Sequence, residues 1–340
     1  MSPFGEIERR RRRARSSYRD IKKHYVRAKG WLPIFERYAR ERQLEVRYLT
    51  LCAKDAIDVR YFRNKGVLQY DREQRIYPTV TFVEKDAQDY AVIAETLGTT
   101  KLGIKGDLEE ILVKPHEYPE IFEKLRASFP YDIVNLDFTG EVVREDDPPY
   151  SSTIRAIETV IELQNRANAA KWHMFLTFRA CPQTSNHEAD NELRTIVEAN
   201  LQRVEAREAY GMRHSPVDLV RNQYEEFLRI GVAKFLASSA SNRGYACSLE
   251  NSYVYPRSPG GGDPNYHIIK LIVEFTAIRT AHNLPNPHRA MDAYENSVPG
   301  IFRSQAIDVY NRLGDQAERR RIKRDLQPVL DELQQQQIIE

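Results

Sequence analysis

The chain has 340 residues, 41% apolar and 29% charged, which is enough for a sizeable core in one large domain or two ordinary ones and excludes global disorder. No run of about 18 uncharged apolar residues exists, so no membrane span is expected. The N-terminus carries no apolar signal-peptide segment, which points to the cytoplasm. Cys52, Cys181 and Cys247 lie far apart, no Cys-x-x-Cys pair is present and the eight histidines are scattered, which argues against a disulfide scaffold and against a metal centre.

The net charge of +2 conceals an asymmetry. Residues 1–47 hold 15 Lys/Arg against 6 Asp/Glu, whereas the other 293 residues hold 36 against 43. Arg9, Arg10, Arg11, Arg12 and Arg13 form the densest block, with Lys22 and Lys23 downstream. Such a run is either a solvated tail or a nucleic-acid arm, because fixed positive charge gains free energy by releasing counterions from a polyanion. Trp31, Phe35 and Tyr38 are spaced i, i+4, i+7 and read as core packing. Tyr18 and Tyr25 are left as candidates for base stacking.

In chain order, residues 6–29 read as a basic helix punctuated by Gly30 and Pro33, and 33–43 as a second, amphipathic helix. From there strands and helices alternate: strands at 45–52, 78–84, 101–105, 131–136 and 172–178, with helical spacing at 55–62, 86–97, 119–128 and 151–169. Asp86 is the expected N-cap of its helix. This rhythm predicts an α/β fold with a doubly wound, mainly parallel sheet. Helices are expected at 187–210 and 216–237, the latter opened by Ser215-Pro216. Two strands follow without a helix between them, 245–255 and 266–278, joined by a loop containing Gly260, Gly261 and Gly262. They form an antiparallel hairpin and complete seven strands. Residues 279–300 read as a loop and 301–337 as a helical tail. The organisation expected is a basic helical segment at 1–44, an α/β domain at 45–280 and a loop with a helical tail at 281–340.

Five β-α units closed by a hairpin resemble the class I, Rossmann-like S-adenosylmethionine-dependent methyltransferases, over roughly residues 45–280. In that family the last strand inserts antiparallel beside the fifth. Glu84 closes the second strand, where the resemblance implies an acid that accepts the ribose hydroxyl protons of the cofactor. Gly106-Asp107 follows the third strand, and Asp107 would accept the adenine amino proton. Asn135-Leu136-Asp137-Phe138-Thr139-Gly140 is similar to the Asp-Leu-Asp-Pro-Phe-Gly loop of tRNA guanine-N2 methyltransferases, with Phe138 and Thr139 departing from it. Asn135 and Asp137 would then hold the substrate amino group, and methyl transfer would depend mainly on positioning. Asp147-Pro148-Pro149-Tyr150 spells the motif of amino-group methyltransferases but stands about ten residues too late. After the first strand, Cys52-Ala53-Lys54-Asp55-Ala56 replaces the three glycines expected to cradle the cofactor; Cys52, Ala53 and Asp55 are the candidate contacts there.

Two functions fit these observations. One is an S-adenosylmethionine-dependent methyltransferase acting on nucleic acid. The other is a catalytically inactive methyltransferase-like protein that binds nucleic acid, or a partner protein through helices at 187–237.

Overall fold

A computed structural model describes residues 20–74, 76–98, 102–142, 152–182, 223–257, 266–279 and 286–335, with 195, 197–199 and 208. The Arg9–Arg13 block, Tyr18, the Asp147–Tyr150 motif, Ser215-Pro216, the triple glycine and most of 187–222 lie outside the described residues.

The chain opens with α1 (Ile21–Val26), a π-helical turn (Arg27–Trp31) and α2 (Leu32–Glu41). The sheet is then built from β1 (Tyr48–Thr50), β2 (Val80–Glu84), β3 (Ile104–Lys105), β4 (Ile133–Glu141), β5 (Lys171–Ala180), β6 (Tyr245–Arg257), β7 (Tyr266–Ala277) and β8 (Ile307–Asp308). Between them run α3 (Ile57–Asn64), α4 (Ala87–Leu97), α5 (Leu108–Val113), α6 (Pro119–Ala127), α7 (Ser152–Arg166), α8 (Tyr224–Ser241) and α9 (Pro287–Arg303); α10 (Val309–Arg312) and α11 (Gln316–Gln335) follow β8.

The strand order is β3-β2-β1-β4-β5-β7-β6-β8. The β3-β2-β1-β4-β5 stretch is parallel, and β7 lies antiparallel between β5 and β6. The sheet therefore has eight strands rather than the expected seven, because β8 adds a short parallel pairing to the outer edge of β6. Strands buried on both faces divide their side chains by alternation. Tyr48, Ile133 and Phe175 face one core, with α1, α2, α3, α4 and α11. Leu49, Val134, Met174 and Leu176 face the other, with α5, α7, α8 and α9.

Three local expectations change. Gly30 and Pro33 do not end a helix: the backbone stays helical from Ile21 to Glu41, passing through the π-helical turn. Gly30 is there for proximity, since a Cβ on it would lie 2.7 Å from Ile272 Cδ1 and 2.9 Å from the Tyr253 ring. Residues 287–303 are a helix rather than a loop. Asn286 caps it by accepting the Arg289 N–H, and Ala290, Val298, Ile301 and Phe302 are buried beneath it. Finally, β4 continues to Glu141, so Asn135 to Gly140 lie within a strand and not in the loop after it; the longer β5 supplies the ladder that extends it. Asp86 caps α4 as expected, accepting from the N–H groups of Gln88 and Asp89.

Candidate functional site

Strand register stacks three rungs on the face covered by α1 and α2. The first is Tyr48, Ile133, His173 and Glu274; the second is Thr50, Asn135, Phe175 and Ile272; the third is Asp137, Thr177 and Lys270. Trp31 stacks on Phe175 with ring centroids 5.0 Å apart, and Phe35 lies 6.2 Å from the same ring. Trp31, Phe35 and Tyr38 are buried, as their spacing implies. Tyr25 is buried too, edge-on to Tyr253, which removes it as a base-stacking residue.

A cleft opens at the carboxyl end of β1, beside Asn135 and Asp137 within β4, on the side of the sheet where open α/β folds bind ligands. Its floor is Leu51, Cys52, Ala53, Asp55, Ile57 and Asp58 after β1, with Asn135 and Asp137 of β4; Lys23, Arg27 and Trp31 roof it. The structure thus brings together five sequence candidates: Cys52, Ala53, Asp55, Asn135 and Asp137. Glu84 and Asp107 lie outside this lining. Glu84 accepts the N–H of Asp86 at 2.8 Å, and burial raises its carboxyl pKa. Asp107 caps α5, accepting the Glu109 N–H at 3.0 Å and the Lys85 ammonium at 3.2 Å. Lys22 donates to the Pro256 carbonyl at 2.8 Å, and Lys23 to Asp137 at 3.3 Å, so both lysines are engaged within the protein.

The polar groups of the cleft are unevenly satisfied. Asp58 accepts the hydroxyls of Tyr48 at 2.6 Å and Thr50 at 3.0 Å. Asn135 donates its amide to Tyr48 at 3.2 Å and Thr50 at 3.1 Å, while its carbonyl oxygen has no partner in the protein. Asp55 Oδ1 and Trp31 Nε1 are likewise buried and unpartnered. Burial pushes the Asp55 carboxyl up to about 8 against the pull of Arg60. Burial would also raise Asp137, but Lys23, Lys270 and Arg27 outweigh it and hold that carboxylate well below its usual range. Lys270 is buried, donates to Thr177 at 2.9 Å, lies 3.7 Å from Asp137 and sits over the Trp31 ring; burial pulls its ammonium down to about 8. Sequence reasoning missed Arg27, Trp31 and Lys270 as members of the site. The signal for Lys270 was a lone charge in the apolar run Tyr266–Ile278.

The cleft has about 40 Å³ of room, enough for about three waters and small beside the several hundred Å³ typical of small-molecule sites. Ala56, at the third expected glycine, adopts φ 45°, the left-handed region that glycine reaches without strain. As the cleft is arranged it has room for a few waters, and S-adenosylmethionine would need its roof of Lys23, Arg27 and Trp31 to move.

Another polar cluster sits one rung down. The Arg37 guanidinium bonds Glu274 at 3.2 Å and Glu250 at 3.1 Å and lies 3.2 Å from His173 Nε2; Tyr38 Oη lies 3.0 Å from His173 Nδ1. His173, Glu250 and Glu274 place ligating atoms within 4.8 Å of one another. Arg37 and the Lys171 ammonium, 2.8 Å from Glu274, already neutralise those carboxylates, so a metal would have to displace Arg37. Among the described residues no helix is long and apolar enough to cross a membrane.

No curated protein matches the chain. Among solved structures, the crystal structure of M. jannaschii TYW2 in complex with AdoMet is 12% identical and covers 68% of each chain, with a TM-score of 0.31, a likeness too loose to bear on the cleft. A family model described as PP_RS20740-like matches residues 108–283, from α5 to just beyond β7. That span is a little over half of the 340 residues, and the chain belongs to the PP_RS20740-like family.

Proposed function

We propose that this chain is a methyltransferase-like protein that works by binding nucleic acid and not by transferring a methyl group. The observation that carries this reading is the carboxyl-edge cleft. It has room for a few waters, and Lys23, Arg27 and Trp31 roof it. The two acids that the resemblance assigns to the adenosine are engaged elsewhere, Asp107 as a helix cap and Glu84 with the backbone of its own turn. Nucleic acid is favoured as the partner by the concentration of positive charge in residues 1–47.

The test is thermal denaturation of the full chain with S-adenosylmethionine. A ligand at 100 times its dissociation constant stabilises by about 2.7 kcal/mol, readily visible as a rise in Tm. The expected result is no rise at millimolar cofactor and no methyl label on duplex DNA or RNA. A clear rise, abolished by Asn135→Ala, overturns the reading.

One observation favours a second reading, a nucleic-acid methyltransferase. Asn135 Oδ1, Asp55 Oδ1 and Trp31 Nε1 are buried without partners in the same cleft, and unsatisfied groups of that kind are costly unless water or a ligand meets them. It requires the roof to move, and the same titration separates it from the first.

A further inference from the structure

We infer that the outer face of α11 is a docking surface for the phosphate backbone of a nucleic acid. The inference rests on the nucleic-acid reading above and gives it a surface among the described residues.

Arg319, Arg320, Arg321, Lys323 and Arg324 are all exposed on the first half of α11. Among the described residues, the one carboxylate contact any of them makes is Arg321 with Glu318, at 3.9 Å. Three of the four acids of the helix face the other way, and the fourth, Asp331, is exposed in the second half of the helix and accepts the Gln327 side-chain amide. Glu318, Asp325 and Glu332 recur every seven residues and so share a stripe. Glu318 pairs with Lys29 at 2.8 Å, Asp325 with Lys65 and the Tyr61 hydroxyl, and Glu332 with Arg60 and Arg63. The first half of the helix therefore spends its negative charge on the body of the protein and presents its positive charge to solvent, with Asp331 the one exposed acid further along.

This arrangement is locally unfavourable. Arg319 with Lys323, and Arg320 with Arg324, are like charges four residues apart, which destabilise a helix. The cations also crowd toward the positive end of the helix dipole, where only the Asp315 cap and Glu318 oppose them. A sequence that places five cations against local preference has a use for them as a group. A polyanion fits: each neutralised phosphate releases counterions. A bilayer fits less well, because Ile322, Leu326, Val329 and Leu333 of the same helix are buried against the protein and leave no apolar face to insert.

The test uses the full chain and the R319Q/R320Q/R321Q/K323Q/R324Q variant. Affinity for labelled DNA and RNA duplexes of about 20 base pairs is measured by anisotropy between about 50 and 200 mM salt. The variant is expected to bind at least about tenfold more weakly at the low end, with the slope of log affinity against log salt shallower by about 4. Its Tm should not fall, since the replaced charges support a single long contact within the helix, Arg321 with Glu318, and their mutual repulsion is relieved. Unchanged affinity and slope, with binding lost instead when Arg9 to Arg13 become Gln, overturns this inference and leaves the nucleic-acid reading standing. No duplex binding by the native chain overturns both, and binding to phosphatidylserine vesicles without duplex binding replaces them with a membrane surface.

Discussion

Two polar clusters lie along β5 under the same pair of helices, and they differ in how well they are satisfied. Around His173, the Arg37 guanidinium and the Tyr38 hydroxyl meet both ring nitrogens and both glutamates nearby. One rung away, around Asn135, a carbonyl, a carboxyl oxygen and an indole N–H are buried with nothing to bond. Phe175 separates them, clasped by Trp31 and Phe35. A complete network costs little and holds α2 in register; an incomplete one at the carboxyl edge of a sheet marks where solvent or a ligand enters.

The comparison can be broken or sharpened by substitution, beginning with the aromatic wall between the clusters. Phe175→Ala removes the ring that Trp31 and Phe35 grip and should cost about 3–5 kcal/mol in urea unfolding. Asp55→Asn comes next and should show in the pH dependence. The Asp55 carboxyl titrates near 8 in the folded chain and near 4 when unfolded, so folding takes up a proton between those values. The native chain should therefore lose stability steadily as pH rises from about 4 to about 8. The Asn variant should escape that loss and melt higher at alkaline pH.

In the satisfied cluster, Arg37→Met strands Glu250 beside His173, leaves Glu274 with Lys171 alone and should cost about 2 kcal/mol. Its bonds with His173 and Arg37 hold the Glu250 carboxyl down to about 2. The stability this group contributes is present above its unfolded pKa of about 4 and is lost as pH falls toward 2. His173→Asn should flatten that acid limb of the Tm profile. The smallest effect is expected from Asn135→Ala, about 1 kcal/mol, because half of its hydrogen-bonding capacity is already unused.

Much of the framework was legible in the residues. Five alternations of strand and helix gave the mainly parallel sheet, the spacing of Trp31, Phe35 and Tyr38 gave a buried helix face, and Asp86 gave a cap. Less was legible where a neighbouring element decides the outcome. The run from Asn135 to Gly140 is polar enough to read as a loop, yet the length of β5 pulls it into the sheet. Residues 287–303 are rich in Pro and Asn, but Asn286 caps them and their apolar side chains find a bed under α8 and β6. Within the site, strand-end acids look alike in a sequence: one that waits for a ribose and one that caps a helix, as Asp107 does, have the same neighbours. The meeting of Trp31 with Asn135 was hidden for another reason. It depends on the π-helical turn folding over a sheet whose relevant strand lies about a hundred residues further on.

The stripe of acids on α11 has a consequence for the chain as a whole. His24 of α1 and Lys65 just after α3 both approach Asp325. The beginning and the end of the described chain are thereby buttoned together over one core. Removal of the last helix should therefore do its damage at the opposite terminus, loosening the cover of a crevice that the helix never touches.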